Sequence, residues 1–261
     1  MVYYMDNAAT SFPKPKEVLA AMEDYFNNIG GNPGRSGHRL SVKGGEVVYE
    51  TRESLARLFN IEDSLRIVFT LNGTMAINMA LWGLLNPGDH VITSSLEHNS
   101  VARPLRFLET KGIEFTRISC APPNYQLDLV ELEQNVRKNT KLIAILHGSN
   151  VVGTIFPLEE VGKIAEKHGL CFLVDAAQTA GAYPIDVRKA GIHLLAFTGH
   201  KGLFGPQGTG GLYVAPGFKL KSYLRGGTGS LSEEDRQPDF MPDALESGTP
   251  NALGLAGLGA G

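Results

Sequence analysis

The sequence predicts an α/β fold with a mostly parallel, seven-stranded sheet and helices on both of its faces. Seven short apolar runs, most of them rich in β-branched residues and bounded by Gly, Pro, Asn or Asp, have the composition of buried strands. They span residues 66–70, 90–94, 114–119, 141–147, 170–175, 194–199 and 210–215. Helical patterns lie between several of these runs, and this alternation is typical of parallel strands joined by helical crossovers.

Helices are predicted where apolar residues recur three and four positions apart. Those between strands cover 74–85, 99–111, 127–138 and 158–168, and two more, at 15–28 and 41–59, precede the sheet. Gly169 is the expected C-cap of one of them, because glycine readily adopts the left-handed conformation that ends a helix. No stretch of linker-like composition divides the chain, so residues 1–261 are expected to form one large domain.

Composition and charge narrow the classes of function. The chain has 261 residues, a formal net charge of -3 and two cysteines. The slightly acidic balance gives no reason to expect nucleic acid or an anionic membrane as a partner, and no apolar stretch approaches the ~20 residues of a membrane span. The N-terminal residues lack a signal-peptide pattern, and the spacing of Cys120 and Cys171 fits neither a metal site nor a redox pair. A cytoplasmic protein is therefore expected.

Polar residues follow the apolar runs, at the strand ends where ligands bind in such sheets. Gly73 and Thr74 open a helix whose free N–H groups would form an anion site, the alternative being an ordinary N-cap by Thr74. Asp175 ends an apolar run, so its carboxylate needs an arginine, backbone donors or a cationic ring nitrogen as partner, or else it caps the next turn. Gln178 is placed to point the same way.

Two further strand ends carry candidate ligand contacts. His98 would stack on a flat ligand or shuttle protons, although a lone histidine at a helix start is more often a cap or a surface residue. Asn150 would donate to a ligand oxygen, and its ordinary alternative is a turn residue.

One lysine stands in the glycine-rich stretch FTGHKGLFGPQGTGG (197–211). Lys201 is either a solvated surface lysine or a nucleophile whose pKa is lowered by burial or nearby cations. Thr198 and His200 are potential phosphate donors, and the glycines would let the backbone approach a bound group closely. The stretch is not a dinucleotide fingerprint, since it precedes a strand instead of following one, and this argues against a nicotinamide-binding protein.

One ligand explains an anion cradle, a buried carboxylate, a stacking imidazole and an amine at the same sheet edge. It is a flat, phosphorylated pyridine aldehyde. This is pyridoxal 5'-phosphate (PLP), whose enzymes hold a lysine Schiff base and an aspartate at the pyridinium nitrogen.

Seven motifs, in a fixed order along nearly the whole chain, resemble a known family. They are DNAATSFPKP (6–15), FTLNGT (69–74), SLEHNSV (95–101), HGSNVVGT (147–154), VDAAQTAG (174–181), FTGHKGLFGPQGTGGLYV (197–214) and ESGTPN (246–251). The chain resembles class V aminotransferase-fold proteins of the cysteine desulfurase and selenocysteine lyase group. The resemblance implies the fold of type I PLP-dependent transferases, with residues 1–261 as the PLP-binding large domain and its N-terminal segment.

The resemblance also implies a role for each candidate residue at the reacting end of the cofactor. Lys201 would form the Schiff base and later move the Cα proton, and His98 would stack on the ring and assist acid–base steps. Asp175 would keep the ring nitrogen protonated. Gln178 and Asn150 would hydrogen-bond near the phenolic oxygen.

The phosphate would be held by residues of two subunits. In this chain they are Gly73, Thr74, Thr198 and His200, and Thr249 of the partner subunit would complete the site. The expected assembly is therefore a homodimer with a shared cofactor site. The stretch GRSGHRL (34–40) matches a loop near the substrate entrance.

The chain departs from this family in length. Family members continue into a small C-terminal domain that carries the substrate-binding arginine and the persulfide-forming cysteine, and neither has a match here. The expected function is conversion of L-cysteine or selenocysteine to alanine, with sulfur passed to a possible acceptor protein, by a chain that is an incomplete form. The alternatives are a class V aminotransferase, another PLP-dependent lyase, or a PLP-binding fragment without catalytic activity.

Overall fold

The computed structural model describes residues 3–34 and 37–261, and within these residues seven strands form one sheet. The strands are β1 (Ile67–Thr70), β2 (His90–Ser94), β3 (Glu114–Ile118), β4 (Thr140–Leu146), β5 (Cys171–Asp175), β6 (Leu194–Thr198) and β7 (Gly210–Val214). Each predicted apolar run forms a strand at its predicted place in the chain. The seven-stranded sheet predicted from the sequence is thereby confirmed.

The strands are arranged in the order β1-β7-β6-β5-β4-β2-β3. Strand β7 runs antiparallel to both β1 and β6, and every other neighbouring pair is parallel. The sheet is therefore mostly parallel, as predicted. The loop between β6 and β7, which carries Lys201, leaves the sheet at the carboxyl end of β6 and returns at the same edge.

Helices cover both faces of the sheet. They are α1 (Lys16–Asp24), α2 (Arg39–Phe59), α3 (Gly73–Leu84), α4 (Asn99–Glu109), α5 (Leu129–Gln134), α6 (Leu158–His168) and α7 (Ala252–Ala260). Successive strand residues alternate between two cores. In β5, Phe172 and Val174 pack in a core shared with α2, α6 and α7, whereas Cys171 and Leu173 pack in one shared with α3 and α4.

Two helices differ from the sequence-based expectation. The helix predicted at 15–28 is α-helical only to Asp24 and continues as a π-helix over Tyr25–Ile29. The helix predicted at 127–138 is α5, which is shorter at both ends. The Asp128 side chain caps the start of α5 by accepting from two backbone N–H groups. Near the end of the helix, the Asn135 side-chain amide donates to the Glu131 carbonyl oxygen. Gly169 is the C-cap of α6, as predicted, with φ of 64°.

The described parts of the chain contain no helix that is both long and apolar enough to cross a lipid bilayer.

A buried ion pair joins α2 to the segment that precedes α7. Both Glu246 carboxylate oxygens accept hydrogen bonds from the Arg52 guanidinium, at 2.9 and 3.1 Å, and the Phe69 backbone N–H donates to the same carboxylate at 2.6 Å. Arg52 also donates to the Ile67 carbonyl and lies over the Phe69 ring, 4.4 Å from its centroid. The Arg52 side chain is 5% exposed, so the pair anchors residue 246 against β1 in a mostly dry environment.

We expect Arg52→Met to lower the free energy of unfolding by about 3 kcal/mol, because it leaves the Glu246 carboxylate without its cation. Urea denaturation of the protein measures this. Arg57→Met, on the exposed side of the same helix, is the control and should change the midpoint little. Equal midpoints for the two variants would mean that the ion pair does not stabilise the fold.

Candidate active site

The carboxyl ends of the strands surround a cavity of about 350 Å³. Of the predicted cofactor-binding residues it is lined by Gly73, Thr74, His98, Asn150, Asp175, Gln178, Thr198, His200 and Lys201. Thr249 does not line it and is exposed on the same protomer, so its predicted place in a second subunit stays a prediction. The structure thus brings nine dispersed candidates together, although their individual roles stay predictions.

A larger depression, of about 1080 Å³, lies elsewhere on the protein and is less suited to a reaction. Several of its charged groups are already engaged with protein partners. Lys189 Nζ pairs with Glu159 Oε1 at 2.7 Å, and Asp186 Oδ2 accepts from Asn60 at 2.8 Å. The smaller cavity is the candidate site because its polar groups converge on one space and remain available to a ligand.

One end of the cavity offers hydrogen-bond donors for an anion. The Asn72 side chain caps α3 by accepting from Met75 N at 2.9 Å. The N–H groups of Gly73 and Thr74, in the first turn, donate to no group among the described residues. The Thr198 hydroxyl oxygen is buried and has no partner among the described residues. A buried hydroxyl is seldom left unsatisfied, and a bound phosphate oxygen would satisfy it.

A carboxylate and an amine face the same cavity. Asp175 is 5% exposed, and one of its oxygens accepts from Ala177 N at 2.9 Å. Burial raises the pKa of Asp175, while that hydrogen bond and the charges of His98 and Lys201 act to lower it. Burial lowers the pKa of Lys201, and the Asp175 charge opposes this. Lys201 is half-buried and lines the cavity, whereas a solvated surface lysine would be exposed.

His98 is oriented by a short hydrogen-bonded chain. Its Nδ1 accepts from Ser100 N at 3.1 Å and lies 2.8 Å from Ser100 Oγ, which is 2.7 Å from Thr74 Oγ1. An accepting Nδ1 leaves Nε2 to carry the proton of a neutral imidazole. Ser100 also lines the cavity and was missed from the sequence, where its only signal is a hydroxyl two positions into a helix.

The N-terminal segment closes the cavity from outside the sheet. Ala8 and Ala9 line it, and the Ala8 carbonyl accepts from Gln178 Nε2 at 2.9 Å. The amide nitrogen of Gln178 is thus engaged with the protein. Within the stretch 34–40 predicted to lie near the entrance, Arg35 and Ser36 fall outside the described residues.

The glycines beside Lys201 let the loop pack closely against other parts of the protein. A Cβ on Gly199 would lie 2.1 Å from Thr209 Oγ1, and one on Gly202 would lie 2.6 Å from the Ala180 carbonyl oxygen. At these two positions the absence of a side chain lets the loop pack against protein atoms, whereas the sequence predicted close approach to a ligand. These close contacts of Gly199 and Gly202 hold the main chain in place on both sides of Lys201.

The fold and the cavity define an α/β protein with a candidate ligand site at the carboxyl ends of its strands. The chain belongs to the aminotransferase class-V family, whose model matches residues 3–261. The curated cysteine desulfurase IscS of Dictyoglomus turgidum is 36% identical over 260 residues, which cover 98% of this chain and 62% of that protein.

Solved structures share the fold. The apo structure of cysteine desulfurase from Thermococcus onnurineus NA1 has a TM-score of 0.91 and 36% identity, covering 99% of this chain and 66% of that one. The structure described as SspA in complex with cysteine has a TM-score of 0.87 and 31% identity, covering 99% and 71%. The chain thus spans somewhat less than two thirds of the length of the Dictyoglomus and Thermococcus relatives. The family and fold predicted from the sequence are confirmed.

A second carboxyl group lies behind the cavity. Glu97 Oε1 accepts from Ser94 Oγ at 2.6 Å and from Leu146 N at 3.1 Å, whereas its Oε2 is buried without a partner among the described residues. The residue as a whole is half-buried, but its carboxyl end is enclosed. Burial raises the pKa of Glu97 to about 8, the two hydrogen bonds oppose the rise, and the nearby Asp175 charge adds to it. A protonated Glu97 therefore links the ends of β2 and β4 at neutral pH.

We expect Glu97→Gln to become increasingly stable relative to the unsubstituted chain as pH rises from 4.5 to about 8. In this range the folded carboxyl keeps a proton that the unfolded one releases, so the unsubstituted chain loses about 1 kcal/mol per pH unit that the amide variant does not. Urea midpoints of both proteins across pH 4 to 9 measure the difference. Glu166→Gln, an exposed site on α6, is the control. A difference that stays constant across this range would contradict the assignment.

Proposed function

We propose that the chain forms the cofactor-binding part of a PLP-dependent enzyme that converts L-cysteine or selenocysteine to alanine and passes the sulfur or selenium to an acceptor. The observation that carries the proposal is the enclosure of the Lys201 amine and the Asp175 carboxylate in one cavity with an anion site. The similarity to cysteine desulfurases supports the choice of substrate.

The donor set of the cavity fits pyridoxal 5'-phosphate. The unpartnered Thr198 hydroxyl and the free N–H groups of Gly73 and Thr74 suit the phosphate. Asp175 suits a cationic ring nitrogen, because a buried carboxylate needs a positive partner. When bound, the cofactor supplies an electron sink for the charge that develops at the substrate Cα.

Each residue would then act at a stated position. Lys201 would hold the cofactor aldehyde through Nζ and, once the substrate amine displaces it, take the Cα proton. His98 would lie on the ring and serve as an acid or base through Nε2. Asp175 would keep the ring nitrogen protonated, and Gln178 and Asn150 would hydrogen-bond near the phenolic oxygen.

The thiol that accepts the sulfur would come from outside these residues. Neither cysteine of the chain lines the cavity, and both are buried. Burial raises the pKa of Cys120 and raises that of Cys171 to about 12, so neither forms a thiolate readily. In the overall reaction an acceptor thiolate attacks the substrate sulfur, so that an S–S bond forms and the substrate C–S bond breaks. The carbon that loses the sulfur takes up a proton and becomes the methyl group of alanine.

A homodimer would complete the phosphate site. Thr249 is exposed, and the Arg52–Glu246 ion pair anchors the start of its segment against β1. An exposed hydroxyl close to an anchored residue is available to a neighbouring subunit. We therefore propose that Thr249 of the partner subunit donates to the phosphate bound in this chain.

We expect the chain with added PLP to show a visible absorption band that borohydride abolishes and that Lys201→Ala lacks. The reason is that Lys201 is the one lysine among the described residues that lines the cavity. Absorption spectra of the three proteins, the third being the exposed-lysine control Lys163→Ala, measure this. A band that persists in Lys201→Ala would assign the reactive amine elsewhere.

We expect Cys120→Ala/Cys171→Ala to release sulfide from L-cysteine, with an added dithiol, at the same rate as the unsubstituted chain. Both thiols are buried away from the cavity, so the added dithiol serves as the acceptor. Sulfide, alanine and pyruvate are measured, with circular dichroism as the folding control. A lost rate in the folded double variant would make one of the two cysteines the acceptor.

Pyruvate formed from alanine and a keto acid would favour transamination, and no product at all would favour a PLP-binding chain without activity.

A further inference from the structure

Four hydrogen-bond donors from the N-terminal segment converge on one carbonyl oxygen, that of His200. Lys14 Nζ lies 2.7 Å from it, Thr10 Oγ1 3.0 Å, Ser11 N 3.1 Å and Ser11 Oγ 3.2 Å. Lys14 Nζ also donates to Ser11 Oγ at 2.8 Å, so the ammonium holds the serine in place as well. A carbonyl oxygen has two lone pairs, and these donors exceed what it needs. At least one of them is free for another acceptor.

The Thr10 hydroxyl is the donor that has a second possible acceptor. Its single hydrogen has two acceptors at the same distance, the His200 carbonyl oxygen and His200 Nδ1, each at 3.0 Å. The contact with Nδ1 can run in either direction, depending on the tautomer of His200. Lys14 Nζ and Ser11 N together can fill both lone pairs of the carbonyl oxygen, which leaves the hydrogen of Thr10 available to Nδ1. A neutral imidazole that accepts at Nδ1 carries its proton at Nε2.

The surroundings keep the His200 ring neutral. Burial lowers the pKa of His200, and the positive charges of Lys201 and Lys14 lower it further. His200 lines the cavity, and its Nε2 donates to no protein group among the described residues. That N–H is thus available to an anion. Lys14 itself does not line the cavity, so it acts on the site through His200.

We propose that Lys14 is a positioning residue. By donating to the His200 carbonyl oxygen it leaves the Thr10 hydroxyl to donate to His200 Nδ1, and this fixes the tautomer in which Nε2–H donates to the cofactor phosphate. The same contact holds the peptide that precedes Lys201. The cofactor phosphate as ligand rests on the proposed function, whereas the tautomer depends only on the contacts among Lys14, Ser11, Thr10 and His200.

The tautomer is tested by nitrogen-15 NMR of histidine-labelled protein in inorganic phosphate, with His200→Gln to assign the signal. The unsubstituted chain should show His200 protonated at Nε2. Lys14→Met should move the proton to Nδ1, because Thr10, at 3.0 Å, is then the nearest remaining donor to the carbonyl oxygen and takes the lone pair that Lys14 filled. Thr10→Val keeps the lysine contact but removes the donor to Nδ1, so the proton of His200 should no longer be confined to Nε2. This variant tests the tautomer if Lys14→Met fails to fold. An unchanged Nε2–H pattern in the folded variants would overturn the proposal.

Cofactor affinity is the second readout. PLP titration, followed by absorbance, should show binding about tenfold weaker in Lys14→Met, in line with the loss of one charge-assisted hydrogen bond that orients a donor. Lys14→Arg should restore most of the affinity, and Lys16→Met, at an exposed lysine two positions on, should leave it unchanged. Equal affinity in Lys14→Met and the unsubstituted chain would overturn the proposal. An unsubstituted chain that binds no PLP would instead refute the proposed function, and the tautomer would still decide the role of Lys14.

Discussion

The parallel pairing of β4, β5 and β6 is the constraint on which the site depends. Leu146 pairs with Asp175, and Asp175 pairs with Ala196, so these strands run to a common edge. The loops that follow β4, β5 and β6 therefore begin side by side, whatever their lengths, and their first residues line one cavity. Because β7 returns antiparallel to β6, the Lys201 loop stays at the edge and does not cross to the other end of the sheet.

The electrostatics of the cavity follow from this crowding. Asp175 and Lys201 are each poorly solvated, and each moderates the shift that burial imposes on the pKa of the other. Their compensation is incomplete, since burial remains the largest cause for both. A cationic ring nitrogen would supply a positive charge beside Asp175, so binding of such a ligand would offset the cost of burying this carboxylate. The same reasoning applies to the Thr198 hydroxyl at the anion end.

The sequence was sufficient for the strands and for most cavity residues, because both follow from local signals. Apolar runs between turn residues locate strands, and polar residues after them locate the ligand edge. The contacts of Lys14 and Thr10 with His200 could not be predicted, since they join residues far apart in the chain through a backbone carbonyl that has no sequence signature. Glu97 follows a predicted strand, but its role could not be predicted for a related reason, because its enclosure depends on how β2 and β4 meet.

The cavity also depends on the two ends of the described chain. The segment around Ala8 to Lys14 docks on His200 and Gln178. Helix α7 packs against α1 and against α2, the helix whose Arg52 holds Glu246. Contacts of such long sequence separation form only when most of the chain is folded. Local opening of the N-terminal segment would therefore remove the Thr10 and Lys14 contacts while both cores stay packed, because that segment contributes few residues to either core. Ligand affinity would then report on the docking of this segment, and global unfolding would report on the sheet.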